Sequence, residues 1–323
     1  MLDAGLYLGI DTSNYTTSVA LCDAQGKIVL NLKRLLDVKE GERGLRQSDA
    51  LFAHTKNLPE LMDELSVFLA ENYPEREIKA VGFSARPRDA QGSYMPCFLA
   101  GAASAKSIAA ALGCPFYDFS HQNGHVMAAL YSAGRLDLLE SDMPFAAFHV
   151  SGGTTELLIV RGNNGEPKAE LVGGTEDVNA GQTIDRTGVL MGMKFPCGKE
   201  MEQACNDAGD IPHHKTRISV KGLKCNLSGL ENLAAKLYSE SGDVAKTSAY
   251  CFDFISDTLY SMTLNARQIY GDLHVLFAGG VMSNSRIAKH LATLGNVSFA
   301  EAQFSADNAA GVALMTKNRY QRR

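Results

Sequence analysis

Leu6-Tyr7-Leu8-Gly9-Ile10-Asp11-Thr12-Ser13 and, much later, Phe145-Ala146-Ala147-Phe148-His149-Val150-Ser151-Gly152-Gly153-Thr154 open the two halves of this sequence in the same way. Each is an apolar run of strand length that meets small polar turn residues. A β-branched, alternating run follows, residues 16–22 in the first half and 155–160 in the second. A second turn, Asp23-Ala24-Gln25-Gly26 or Asn163-Asn164-Gly165, leads to a third apolar segment at 28–30 or 169–172. Short alternating runs separated by such turns are the pattern of a strand meander. Its recurrence at nearly the same internal spacing predicts two duplicated lobes.

Working outward, residues 50–72 read as an amphipathic helix, 80–84 as a buried strand and 85–96 as a loop. Residues 99–112 form a helix of almost only small side chains, able to lie close to another backbone, and Gly113-Cys114-Pro115 ends it. Beyond Gly181 the chain turns mainly helical, at 182–193, 199–208, 230–239 and 245–270. Residues 274–278 then make a strand running into Gly279-Gly280, Asn284 caps a helix, and Asp307 opens the terminal one. Strands alternating with helices make this an α/β chain.

Composition narrows the class. At 323 residues and 45% hydrophobic content the chain can build two cores. No apolar run approaches the ~20 residues that span a bilayer, and no basic segment precedes an apolar stretch at the N-terminus, so the expected location is cytoplasmic, with no membrane contact. Seven cysteines, an odd number with no C-x-x-C pair, argue against a disulfide framework and a cysteine zinc site. A net charge of -5 gives no global attraction for nucleic acid. An RNA substrate needs a local basic patch or a partner protein, and the two local excesses are His213-His214-Lys215-Thr216-Arg217 with Lys221 and Lys224, and the tail from Lys317 to Arg323.

The chemistry centres on Ser120-His121-Gln122-Asn123-Gly124-His125. On a helix, His121 and His125 stand one turn apart on one face, where two imidazoles can converge on one metal ion. The same pair can also be two histidines hydrogen-bonded at a helix start. A metal needs a further ligand from afar, and Asp307 in its polar turn is the candidate. The turns that carry Asp11 and Ser13, and Ser151 to Thr154, offer N–H groups and hydroxyls to a phosphate, while Gly279-Gly280 lets backbone approach a flat ring such as adenine.

Taken together, Leu8-Gly9-Ile10-Asp11-Thr12-Ser13, His121-x-x-Gly124-His125, Val150-Ser151-Gly152-Gly153-Thr154-Thr155, Ile184-Asp185-Arg186-Thr187, Phe195-Pro196-Cys197-Gly198, Gly222-Leu223-Lys224, Ala278-Gly279-Gly280-Val281 with Asn284, and Asp307-Asn308 resemble, in order and spacing, the TsaD-like proteins. These are the catalytic subunits of tRNA threonylcarbamoyladenosine synthesis, once misnamed O-sialoglycoprotein endopeptidases. The resemblance covers nearly the whole chain. It implies an actin-like ATPase (ASKHA) fold of two duplicated lobes, each a mixed β-sheet meander with helices, with the active site in the cleft between them. The first lobe is expected at 1–117, completed by the terminal helix 308–323, and the second at 118–307.

The resemblance further implies transfer of the threonylcarbamoyl group from threonylcarbamoyl-AMP to N6 of the adenosine beside the tRNA anticodon. Carried over by position, His121, His125 and Asp307 hold one divalent metal, iron or zinc. Asp11, Ser13, Ser151, Gly152, Gly153 and Thr154 approach the phosphate and substrate side, and Asp185, Gly198, Gly280 and Asn284 hold the adenosine of threonylcarbamoyl-AMP, ATP or ADP. The implied partners are tRNA, the small partner proteins of the bacterial pathway, and a second copy of the chain as a homodimer.

Several positions depart from the family pattern: Asn123 stands for a glutamate, Thr154 for a histidine, Thr16 for an acidic residue, and Ala85-Arg86-Pro87-Arg88 for a Gly-Pro-Gly loop. They mark a divergent paralogue. A metallopeptidase is disfavoured, because no glutamate lies between the histidines to act as general base. The rival readings are a related carbamoyltransferase with another acceptor and a non-catalytic nucleotide-binding paralogue.

Overall fold

The structure, a computed structural model, describes residues 5–13, 15–37, 45–305 and 309–323. The chain forms two compact units, Met1–Asp142 with Arg161–Ala169 and Ala306–Arg323, and Met143–Val160 with Glu170–Ser305. The first unit thus runs beyond residue 117 and takes in the histidine helix, which the lobe boundary read from the sequence assigns to the second.

In the first unit β1 (Leu6–Ser13), β2 (Thr16–Asp23) and β3 (Ile28–Leu35) form the antiparallel meander. β4 (Ile78–Arg86) and β5 (Phe116–Ser120) add in parallel, giving the order β3-β2-β1-β4-β5. β1 does not end at Ile10 as its turn-forming residues suggest. Asp11 pairs with Ser18 and Thr12 with Thr17, and Asp11, Thr12 and Ser13 are all buried. Tertiary hydrogen bonds satisfy these polar side chains inside a strand. Thr12 Oγ1 donates to the Cys97 carbonyl at 3.0 Å and accepts from Gly101 N at 3.2 Å.

Helices α1 (Gln47–Asn72) and α2 (Phe98–Leu112) pack on the sheet. Leu6, Leu8, Ile10, Val81 and Phe83 meet Leu58, Leu61, Leu65, Ala105 and Ala109 in one core. The small side chains of α2 serve close approach, since a Cβ on Gly101 would lie 2.9 Å from Thr12 Oγ1. The C-terminal helix (Ala310–Gln321) makes a comparable contact. A Cβ on Gly9 would lie 2.5 Å from Ala313 N, so the helix backbone rests directly on β1. Beside it runs α3 (His121–Ser132).

The second unit repeats the plan. β6 (Phe145–Val150), β7 (Thr155–Asn163) and β8 (Glu166–Thr175) are the meander, while β9 (Ser219–Lys221), β10 (Lys224–Asn226), β11 (Val275–Ala278) and β12 (Val297–Phe299) complete the order β12-β11-β6-β7-β8-β10-β9. Read from β8, the strands β8-β7-β6-β11-β12 reproduce β3-β2-β1-β4-β5, with β11 and β12 parallel to their neighbours as β4 and β5 are. The β9–β10 hairpin is the addition. Helices α4 (Ala180–Leu190), α5 (Gly198–Asp207), α6 (Gly229–Ser241), α7 (Val244–Tyr270) and α8 (Ser285–Ala292) surround a core in which Phe148 stacks on Phe277 at 5.2 Å. No helix among the described residues is long and apolar enough to cross a membrane.

Candidate functional site

In the first unit the geometry begins at Ser120, whose hydroxyl accepts from Asn123 N at 3.3 Å and starts α3. The helical turn then sets the His121 and His125 rings edge to face, with centroids 4.3 Å apart and planes at 74°. His121 Nδ1 lies 3.3 Å from Asp11, a carboxylate placed at the buried end of β1. Burial by itself raises the pKa of Asp11. The charge and hydrogen bond of His121 and the hydroxyls of Ser13 and Ser84 outweigh it and hold the carboxyl below its ordinary range. Ser13 Oγ donates to Asp11 Oδ2 at 2.6 Å. A carboxylate behind one ring nitrogen fixes the imidazole and directs the other nitrogen away, the usual support for a metal-binding histidine. Two imidazoles this close, one of them with such a backing, fit a metal; Asp307, the expected third ligand, lies outside the described residues.

The C-terminal helix passes beside this pair. A Cβ on Gly311 would sit 2.0 Å from the Gly124 carbonyl oxygen, so the two helix backbones touch at the turn between the histidines. Asn123 faces another way. Its Nδ2 donates to Asp89 Oδ2 at 2.6 Å, Arg86 Nε donates to Asp89 Oδ1 at 2.9 Å, and Gln122 N donates to the Pro87 carbonyl at 3.0 Å. Asn123 is therefore tied to the loop that follows β4. Asp89 was not foreseen as part of the site; its partner is 34 residues away in sequence.

In the second unit the turn after β6 is closed by Ser151 N donating to the Thr154 carbonyl at 2.7 Å, and Gly153 N donates to Ser151 Oγ at 3.3 Å. Two further glycines admit neighbours to it. A Cβ on Gly181, at the start of α4, would lie 2.7 Å from Gly152 N, and one on Gly279 would lie 2.1 Å from the Val150 carbonyl oxygen. Gly279 also has φ +105, a conformation that favours glycine. Around Gly152, Gly153 and Gly280 the space is open. Asn284 is buried and its Oδ1 caps α8 by accepting from Ile287 N at 3.0 Å.

Asp185 stands on α4, on a cavity of about 490 Å³ lined also by Gln182, Arg186, Phe195 and Glu231. Burial pushes its pKa up, against a hydrogen bond from Cys197 N at 2.8 Å, and Gly198 follows at the start of α5. Gly280 and Asn284 do not line that cavity. All seven cysteines are free thiols, and burial pushes Cys205 to about 11 and Cys225 and Cys251 to about 12.

Comparison with known proteins agrees with this architecture. The profile of TsaD, tRNA N6-adenosine threonylcarbamoyltransferase, matches residues 32–314. A tRNA N6-adenosine threonylcarbamoyltransferase of Nitrosomonas eutropha (strain DSM 101675 / C91 / Nm57) is 30% identical over 321 residues, covering 96% of this chain and 90% of that protein. Among solved structures, the activator of the 2-hydroxyisocaproyl-CoA dehydratase from Clostridium difficile, with bound ADPNP, aligns over 98% of this chain and 96% of its own at a TM-score of 0.53 and 12% identity. Full-length HypF, in its phosphate- and nucleotide-bound form, aligns over 97% of this chain and 46% of its own at a TM-score of 0.59 and 10% identity. These likenesses are of fold alone, and they agree with the duplicated, actin-like fold that the paired meanders lead one to expect. With its profile match over most of its length and a relative of this identity, the chain belongs to the TsaD family.

Proposed function

We propose that the protein transfers a threonylcarbamoyl group from threonylcarbamoyl-AMP to N6 of the adenosine beside the tRNA anticodon. In that reaction the N6 amine forms a bond to the carbamoyl carbon and gives up a proton to solvent, the bond from that carbon to the phosphate oxygen breaks, and AMP leaves. The observation that carries the reading is the edge-to-face pair His121 and His125, backed by ionised Asp11, in a chain of this family. When bound there, a divalent iron or zinc ion supplies Lewis-acid polarisation of a carbonyl. The protein's own part is to orient: Asp11 fixes the His121 ring, and the open turn offers the Gly152 N–H and the Ser151 hydroxyl to the phosphate side of the donor.

Elemental analysis tests the metal. Purified wild type should carry one equivalent of iron or zinc that His125→Ala together with His121→Ala lacks at this site, with tRNA modification falling about 100-fold or more. Unchanged activity in the variant would sink the reading.

The adenosine side is tested separately. Asp185→Ala with Asn284→Asp, which keeps an acceptor to cap α8, should weaken AMP binding about tenfold or more in calorimetry. Unaltered affinity would place the nucleotide elsewhere.

Supply of tRNA by electrostatics alone is disfavoured. The basic tail is partly paired, Arg319 with Glu166 and Arg322 with Glu140. Engagement of tRNA by this chain is accordingly expected to need the small partner proteins of the bacterial pathway. One observation favours a second reading: the bond from Asn123 to Asp89 replaces a family glutamate beside the histidine pair, which fits a carbamoyltransferase with a different acceptor.

A further inference from the structure

His213-His214-Lys215-Thr216-Arg217 is a local basic excess that neither the histidine pair of α3 nor the glycine turns use. In the second unit its two histidines face α7. They lie on residues 209–218, a stretch without regular secondary structure, and they meet Asp253 and Asp257, one turn apart on α7. His213 Nε2 is 2.9 Å from Asp257 Oδ1, and His290 Nε2, from α8, is 3.2 Å from the same oxygen. Two imidazoles from separate elements thus converge on one carboxylate oxygen, their rings stacked at 4.1 Å and 14°.

We propose that His213, Asp257 and His290 form a second metal site, which takes one divalent transition ion of the zinc class and clamps residues 209–218 onto α7 and α8. One ligand atom from each of the three side chains lies within 4.8 Å of the others. A tetrahedron with bonds of ~2.0–2.1 Å has ligand-to-ligand edges of about 3.3 Å. Two of the three edges are therefore already near that length, at 2.9 and 3.2 Å. The third edge is within 4.8 Å, and the two rings that define it are partly exposed, 33% and 25% accessible.

The surroundings are those of a supported ligand set. His213 Nδ1 lies 3.0 Å from Asp253 Oδ1, and Asp253 is fully buried and held by Arg286 at 2.6 and 2.8 Å and by His214 N at 2.9 Å. This is a carboxylate behind a histidine whose second nitrogen faces the ion position. Asp257 Oδ2 is fixed by Thr216, accepting from its N at 3.0 Å and from its Oγ1 at 2.7 Å, which leaves Oδ1 for the ion. Histidine and carboxylate donors with water in the fourth position suit zinc, and an ion here replaces a proton on Nε2, so that binding releases protons.

Calorimetry with zinc chloride on metal-stripped protein tests this. A His121→Ala/His125→Ala background removes the pair on α3. In that background one equivalent of zinc should still bind, and adding His290→Ala should weaken it at least about tenfold. Absence of zinc binding in the folded background, or unchanged binding after His290→Ala, overturns the site. Should these variants not fold, wild-type crystals soaked in zinc chloride decide. An anomalous peak between His213, Asp257 and His290 supports the proposal, and no peak there overturns it.

Discussion

Gly311→Ala should destabilise the protein by about 3 kcal/mol, the upper end of what overpacking usually costs. The added Cβ would lie 2.0 Å from the Gly124 carbonyl oxygen and 3.0 Å from Ala128 N. Both are backbone atoms of α3, so no change of rotamer relieves the overlap, and the C-terminal helix has to lift off the histidine helix. Gly124→Ala is the control. The added Cβ would meet the Val312 Cγ2 methyl at 3.5 Å, an ordinary contact, and alanine is favoured over glycine inside a helix by about 1 kcal/mol. That variant should be neutral or slightly more stable. Urea unfolding of both compares the two; equal losses would mean that the helix crossing does not depend on the glycine of the C-terminal helix. The motif draws the eye to Gly124, yet the steric requirement falls on Gly311, outside it.

The duplicated architecture was legible because strand meanders advertise themselves locally, through alternation and turn residues, and both copies kept the signal. What escaped was set by distant partners. The polar end of β1 reads as a turn until Ser18, Thr17, Cys97 and Gly101 are present to satisfy it. The strands Phe116–Ser120, Ser219–Lys221, Lys224–Asn226 and Val297–Phe299 are short, and sheet neighbours rather than local pattern define them. In the candidate site the histidine pair was visible, since a helix brings positions four apart together by itself. The backing of His121 by Asp11 joins residues 110 apart, and no local pattern announces it. His213 reads as local basic charge because its partners, Asp253 and Asp257, sit far off in the long helix 245–270, and nothing near His290 in sequence marks it.

Asn123→Glu with Asp89→Asn and Thr154→His should raise tRNA modification about 100-fold over wild type, as regained general acid/base groups do. Asn123→Glu without the change at Asp89 should not. Asn123 Nδ2 donates to Asp89 Oδ2 at 2.6 Å, so a glutamate alone sets two carboxylates against each other at a nearly buried position. Such a pair costs on the order of a few kcal/mol or forces one group to take up a proton. The paired exchange keeps one amide donor and one carboxylate acceptor with their places reversed, and it conserves net charge. Thr154 is the easier position, because it contributes its carbonyl to the turn and a new side chain leaves that bond in place. Mass spectrometry of nucleosides from tRNA incubated with threonylcarbamoyl-AMP and the pathway partners reads the result. If Asn123→Glu alone matches the exchanged pair, Asp89 is not the constraint inferred from the structure. If neither variant nor wild type modifies tRNA, while wild type moves a plain carbamoyl group from its adenylate to a small acceptor, the bond between Asn123 and Asp89 marks a site rebuilt for that acceptor.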